Sequence, residues 1–398
     1  MEIPSRPNSN DDAPMPYTCE ICPSLDQLDL ASWNTLADDG DLFMDARFMR
    51  AVDRGQCSPG KLWWLIVRDA AQRPVAIACL SLLAIDIAML SGRVVGKIGT
   101  SVRRLFPSAL RYQAILCGLP VSAGQNHLKI AHGTDSAAVL HLIVDKMARL
   151  ARAEGARFLV FKEFDDRAAS QLGALGALGF YRGESPPMNH LPARFSSFAQ
   201  YRAALKAPYR SKIIRSQRKA AELGLRTECL SGGDSLAARF TDDVHRMYLA
   251  VVEKSPLRLE VLSAEWFRQM ARGLERESAW TAIYEGDHLL AWAYGLLLGG
   301  TYQSLFGGVD YARNAQTDAY FNLMYHELDF AVRQGVREIQ LGQTADDFKG
   351  RLGAYQSRRW FFVKPLRWKA KAVLRLAAEQ VLPKYPPPAQ RHVFHASP

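Results

Sequence analysis

The chain has 398 residues, 48% of them hydrophobic and 23% charged, with a formal net charge of +10. That length accommodates two domains with separate cores, and that composition excludes a disordered or fibrous protein. The excess of bases favours an anionic partner, whether nucleotide phosphate, RNA or a membrane surface, without choosing among them.

Taken in chain order, residues 1–16 lack a basic region followed by an apolar core, so they are expected to be a flexible tail rather than a secretory signal. Cys19 and Cys22 form a CxxC pair with no second pair of Cys or His ligands downstream, so no metal is expected. Cys79 and Cys117 lie inside apolar runs, the usage of reduced thiols in a cytoplasmic protein. From Trp63, WWLIVRDAAQRPVAIACLSLL holds two apolar runs broken by a polar turn at Asp69 to Pro74, a β-hairpin pattern. Pro74 to Leu90 is too short to span a membrane and carries Asp86. Ala138 to Phe161 then predicts an amphipathic helix, a stop at Gly155 and a buried strand.

Between Arg202 and Lys219 there are seven bases and no acid, with Ile213 and Ile214 as an apolar edge. Pro208 is expected to end one short helix and Gly224 the next. A second hairpin pattern runs from Trp280 to Leu298 with its turn at Glu285 to His288. Asp318 to Leu341 overlays Ala138 to Phe161 at a constant offset of 180, so that Gly335 meets Gly155. Finally, Arg358 to Arg375 interleaves seven bases with Trp360, Phe361, Phe362 and Trp368, and Leu366, Ala370, Val373, Leu374 and Val381 recur at helical spacing ahead of Pro383. That segment fits an amphipathic helix on an anionic membrane or RNA, or a helix packed on the preceding domain with its bases solvated.

The same order of hairpin, helix and strand in both halves points to a duplicated α/β (α+β) unit. Three stretches carry a family likeness: RSKIIRSQRKAAELGL from Arg210, LFGGVDYARNAQTDAYFNLMYHELDFAVRQGVREIQLG from Leu305, and KGRLGA from Lys349. Together they resemble the double-domain GNAT-superfamily acyltransferases, including the Fem-type peptidyltransferases and Fem-like acetyltransferases. The resemblance implies tandem GNAT-like domains, each a mixed twisted sheet flanked by helices, at residues 17–195 and 229–365. A basic connecting helix region at 196–228 lies between them, and a basic amphipathic helix and tail at 366–398 follow. It implies an N-acyltransferase that moves an acyl group from acyl-CoA, a co-substrate, to a small-molecule or peptide amine by direct attack in a ternary complex. The other implied readings are a Fem-type transferase fed by aminoacyl-tRNA and a silent double-GNAT binding protein.

In such chemistry a base takes the amine proton while backbone amides hold the oxyanion. Asp310, Tyr311 and His326 are the candidate catalytic residues, with an N-cap for Asp310 and a hydrogen-bonded structural role for His326 as the plain readings. Gly307 and Gly308 admit close backbone approach of the donor, or mark a bulge. Arg313 and Lys349 are candidates for contacting the donor, and Tyr302, Tyr320, Asn322 and Gln343 for contacting the acceptor. Helical spacing puts Asn322 and His326 on one face, with Glu327 turned away by about 100°. The family's pyrophosphate loop commonly carries two glycines, whereas Arg313 to Ala319 has neither and Asp318 would repel a phosphate. This favours the tRNA donor, although the chain carries no recognised RNA-binding motif.

Overall fold

The structure, a computed structural model, describes residues 16–37, 41–55, 60–86, 111–121, 124–255, 261–386 and 391–395. In the first half the strands are β1 (Tyr17–Cys22), β2 (Leu62–Asp69), β3 (Pro74–Asp86), β4 (Arg111–Cys117), β5 (Leu128–Ile130), β6 (Phe158–Phe164) and β7 (Tyr181–Pro192). The second half supplies β8 (Arg226–Ser231), β9 (Ser278–Glu285), β10 (His288–Leu298), β11 (Thr301–Val309), β12 (Glu338–Gly342) and β13 (Tyr355–Pro365).

Both expected hairpins form, and their turns close by different chemistry. The Asp69 carboxylate accepts from the amides of Ala71 and Arg73, each at 2.9 Å, whereas the β9–β10 turn uses Gly286 at φ +57°. The helix Ser136–Ala153 and the helix Ala319–Arg333 likewise end at equivalent left-handed glycines, Gly155 at φ +67° and Gly335 at φ +68°. The strands that follow start at Phe158 and Glu338, which keeps the offset of 180.

The thirteen strands of the described residues join one sheet, in the order β1-β2-β3-β4-β6-β13-β7-β12-β11-β10-β9-β8 with β5 beside β3. This order reads the same from either end once β1 is matched with β8, β2 with β9, β3 with β10, β4 with β11, β6 with β12 and β13 with β7. The halves have therefore exchanged their last strands: β13 lies against β6, β7 against β12, and the two pair antiparallel at the centre. Each half carries one parallel pair, β4 with β6 and β11 with β12.

One face of the sheet is covered jointly. Helices Ala46–Arg54 from the first half and Ala264–Gly273 from the second share a core containing Trp33, Trp64, Trp266, Trp280 and Trp292, all buried. Cys22 joins that core while Cys19 faces the other side of β1, so the two thiols cannot share a ligand. Burial pushes the Cys19 thiol up to about 12 and the Cys22 thiol up to about 11.

The basic connector is the helix Ala207–Glu222. The preceding helix Phe198–Ala204 stops short of Pro208, which opens the connector's first turn, and Gly224 at φ +63° follows its end. At the C-terminus the helix Trp368–Val381 packs Leu374 against Leu83, Ile85 and Leu116. Its opposite side leaves Trp368 and Leu376 bare, 73% and 79% exposed. Among the described residues no helix is long and apolar enough to cross a membrane.

Candidate active site

The second half opens where its parallel strands part. β11 pairs with β12 only from Thr301 to Gln303, opposite Glu338 to Gln340; beyond that β11 follows β10, and β12 ends at Gly342 with φ +72°. The wedge between them is a cleft of about 460 Å³. Ser304 to Val309 form one wall and Leu341 to Thr344 the other, with Tyr320, Leu323, Met324 and Glu327 beneath and Lys349 at the inner edge. Thr344 and Ala345, at φ +64° and +52°, make the tight turn that swings the helix Asp346–Arg351, and with it Lys349, back over the cleft.

Among the described residues lining this space, Glu327 is the carboxyl and Lys349 the ammonium, and both are buried, at 0% and 5% exposure. Tyr302 donates its hydroxyl to Glu327 Oε1 at 2.7 Å, while Oε2 has no partner at hydrogen-bond distance. Burial raises this carboxyl to about 7, and the Tyr302 hydroxyl, the Ser304 side chain and the Lys349 cation offset that only in part. Lys349 donates to the Gln343 carbonyl at 2.9 Å, and burial lowers its ammonium to about 8 against the pull of Asp346 and Glu327. An acid and a base poised near neutrality, facing one cleft, can exchange protons with a reacting molecule there.

Of the residues singled out in the sequence, Gly307, Gly308, Tyr311, Tyr320, Gln343 and Lys349 line the cleft. The glycines also answer to packing: a Cβ on Gly308 would lie 2.3 Å from Trp292 Nε1, and one on Gly307 2.6 Å from the Trp292 carbonyl oxygen. Asp310 is the N-cap of the short helix Tyr311–Thr317; its Oδ1 takes the amides of Ala312 and Arg313, and its Oδ2 lies 2.8 Å from His288 Nε2. Arg313 pairs with Glu285. His326 and Asn322 share a face, as their spacing predicts, but that face looks away from the cleft, His326 toward Thr227 at 3.0 Å and Asn322 toward Ser216 at 3.1 Å. Tyr302 lies behind the cleft, fully buried, and acts on it through Glu327. Glu327 was legible in one respect: it interrupts the apolar stripe of Leu323, Met324, Leu328 and Ala331, where an acid has no solvent to face.

The loop expected at a donor's pyrophosphate is folded into the helix Tyr311–Thr317, followed by Asp318 in a left-handed turn at φ +53°. Asn314 Oδ1 accepts the Tyr320 amide at 2.9 Å, and the Asp318 carboxylate, held by Lys219 at 3.0 Å, stands beside the start of the next helix. Those positions would otherwise present amides and positive potential to a phosphate.

In the first half the equivalent wedge is filled. β4 and β6 run together from Ala114 to Cys117, and the side chain of Lys162 then occupies the gap: a Cβ on Gly118 would lie 2.4 Å from Lys162 Cγ. Its Nζ donates to the Leu119 carbonyl at 3.0 Å and pairs with Glu163 at 3.0 Å. Between the two halves lies a polar seam. His190 Nδ1 is 3.0 Å from Glu338, its Nε2 is 2.7 Å from Ser357, and Tyr355 stacks on its ring at 5.2 Å.

Residues 207–350 match the family model described as acetyltransferase (GNAT) domain. Among solved structures, the chain is similar to FemX, with a TM-score of 0.53 and 13% identity over 90% of this chain and 99% of that one. It is also similar to a tandem GNAT protein from the clavulanic acid biosynthesis pathway, at 0.51 and 14% over 87% and 98%. Residues 207–350 therefore carry a GNAT-type domain, and the α/β fold of the chain is that of tandem GNAT proteins. Over 90% of its length the chain follows the FemX fold. A Mycobacterium tuberculosis protein with the provisional name 8-amino-7-oxononanoate synthase 2 is 23% identical over 311 residues, 75% of this chain; the chain spans 38% of that protein's length.

Proposed function

We propose that the protein is an N-acyltransferase that takes an acyl group from a thioester held in the cleft between β11 and β12 and gives it to an amine entering from the seam between the halves. The observation that carries this reading is the burial of a carboxyl and an ammonium, Glu327 and Lys349, on one open cleft, with Glu327 Oε2 unpaired. The amine nitrogen attacks the thioester carbonyl, forming the C–N bond as the C–S bond breaks. Glu327, ionised, accepts the proton released from nitrogen through its unpaired Oε2, and Lys349 supplies one to the departing thiolate. The amides of the open β11 edge beyond Gln303 are placed to hold the carbonyl oxygen. Gln343 and Tyr320 border the acceptor and Gly307 and Gly308 the acyl arm, while the first half, plugged by Lys162, serves as a wall of the acceptor site.

A second reading has one observation of its own. Asn314 on the Tyr320 amide and the Asp318 carboxylate disfavour the pyrophosphate of free coenzyme A, which an aminoacyl-tRNA donor lacks at that place. The exposed Trp368–Leu376 face, with Lys369, Lys371 and Arg375 on the same helix, suits peripheral contact with an anionic bilayer, a site for a cytoplasmic enzyme at the inner membrane surface.

The test is thiol release from acetyl-CoA and S-acetylpantetheine, in parallel with deacylation of mixed aminoacyl-tRNA, against a panel of primary amines. Amine-dependent thiol release supports the first reading. Turnover of charged tRNA alone replaces it with the second, and no turnover of any donor removes both.

A further inference from the structure

The connecting helix Ala207–Glu222 takes no part in the chemistry of the cleft, yet its end reaches a corner of it through Lys219. Ile213 and Ser216 turn inward, and Ser216 Oγ receives Asn322 Nδ2 at 3.1 Å. Lys212, Arg215 and Lys219 stand at positions i, i+3 and i+7, one stripe of the helix. At its end Lys219 Nζ reaches the Ala315 carbonyl at 3.2 Å and Asp318 at 3.0 Å. That corner joins the segment bearing Tyr311 and Asn314 to the helix bearing Tyr320, all three of which line the cleft. Leu223, 40% exposed, follows the stripe at the end of the helix, and Ile214, 46% exposed, stands on its outer side next to Arg215 in sequence.

Charge and cradle are thus separated. A free nucleotide thioester needs bare amides and positive potential at the helix start, where this chain places Asn314 and Asp318. Its positive charge lies outside, on an exposed helix with aliphatic neighbours, and a large acidic body could rest there while only an arm enters the cleft. Resting on the acyl-thioester reading, we propose that the donor is an acidic carrier protein, its acyl group delivered on a phosphopantetheine arm, docked on Lys212 and Arg215 with the exposed Ile214 and Leu223 making the apolar contact. A protein suits this surface better than RNA. The large exposed side chains on the helix are aliphatic, whereas single-stranded RNA is held by aromatic stacking and by bases spread along a backbone track.

The experiment uses the full chain and measures binding of four probes: a bacterial acyl carrier protein bearing acetyl-phosphopantetheine, the same protein without its arm, acetyl-CoA, and mixed aminoacyl-tRNA. The acetylated carrier should bind at least tenfold tighter than acetyl-CoA and weaken with salt. The double variant Lys212→Glu, Arg215→Glu should lose tenfold or more for the carrier while melting like wild type, and Lys212→Arg, Arg215→Lys should retain binding. Equal affinity for carrier and acetyl-CoA, tRNA binding in place of carrier binding, or charge reversal without effect on the carrier would each overturn the carrier proposal. In the first case thioester transfer stands; if neither thioester probe binds, the acyl-thioester reading falls with it.

Discussion

Replacing Glu327 by Gln separates stability from catalysis in a way no merely structural role would. Burial lifts this carboxyl from its ordinary 4.5 to about 7, and at 1.36 kcal/mol per pH unit the folded protein bears about 3 kcal/mol for ionising it. The sign follows from proton uptake. Between 4.5 and 7 the folded state holds the proton more tightly than the unfolded chain, so stability is fully present below 4.5 and is lost as the pH rises through 7. Glutamine keeps the acceptor that Tyr302 needs and cannot ionise. E327Q should therefore melt with wild type at pH 4 and several degrees above it at pH 8, while losing roughly 10²- to 10⁴-fold in kcat. The assay is a pair of thermal melts at each pH with thiol release at pH 8. A melting difference independent of pH would refute the burial argument, and retention of more than a tenth of kcat would refute the role as base.

The pH profile of kcat should be narrow, rising near 7 as Glu327 ionises and falling near 8 as Lys349 loses its proton. Tyr302→Phe removes a hydroxyl that holds the carboxyl down, so the rising limb should move to higher pH; an unmoved limb would assign it to another group. Trp368→Ala and Leu376→Glu should abolish cosedimentation with phosphatidylglycerol vesicles at low salt and leave thiol release intact, and binding that survives both changes would rule out this helix as the contact.

The duplication was legible because its markers are local. Gly155 and Gly335 must each take a left-handed conformation after a helix, and two hairpins with polar turns precede them. The strand exchange was not legible. β7 and β13 carry patterns that suit either neighbour, and only the folded chain decides that β13 leaves β12 to pair with β6. The site divides in the same way. Lys349 was marked by its motif, the glycines by their pairing and the cap role of Asp310 by the nearby amides of Ala312 and Arg313, but the partner of His326, Thr227, lies in a distant segment whose approach sequence spacing does not encode. Glu327 lies about 100° from His326 around the helix, and only the apolar stripe that contains it marks it as turned inward.

Two copies of one fold sharing a sheet need not share a task, and the wedge beside each parallel pair tells them apart. A buried lysine stem in the first half and an open cleft bearing Glu327 and Lys349 in the second are alternative fillings of the same gap in the fold. Opening the first gap would mean removing one member of the buried Lys162 and Glu163 pair, at a cost of about 3–5 kcal/mol, more than an acyl arm entering a site of its own need overcome. The chain should therefore bind one donor, not two. Calorimetric titration with whichever thioester supports turnover should give a stoichiometry of one per chain, and a value of two would mean that Lys162 moves aside and that the halves are catalytic equals.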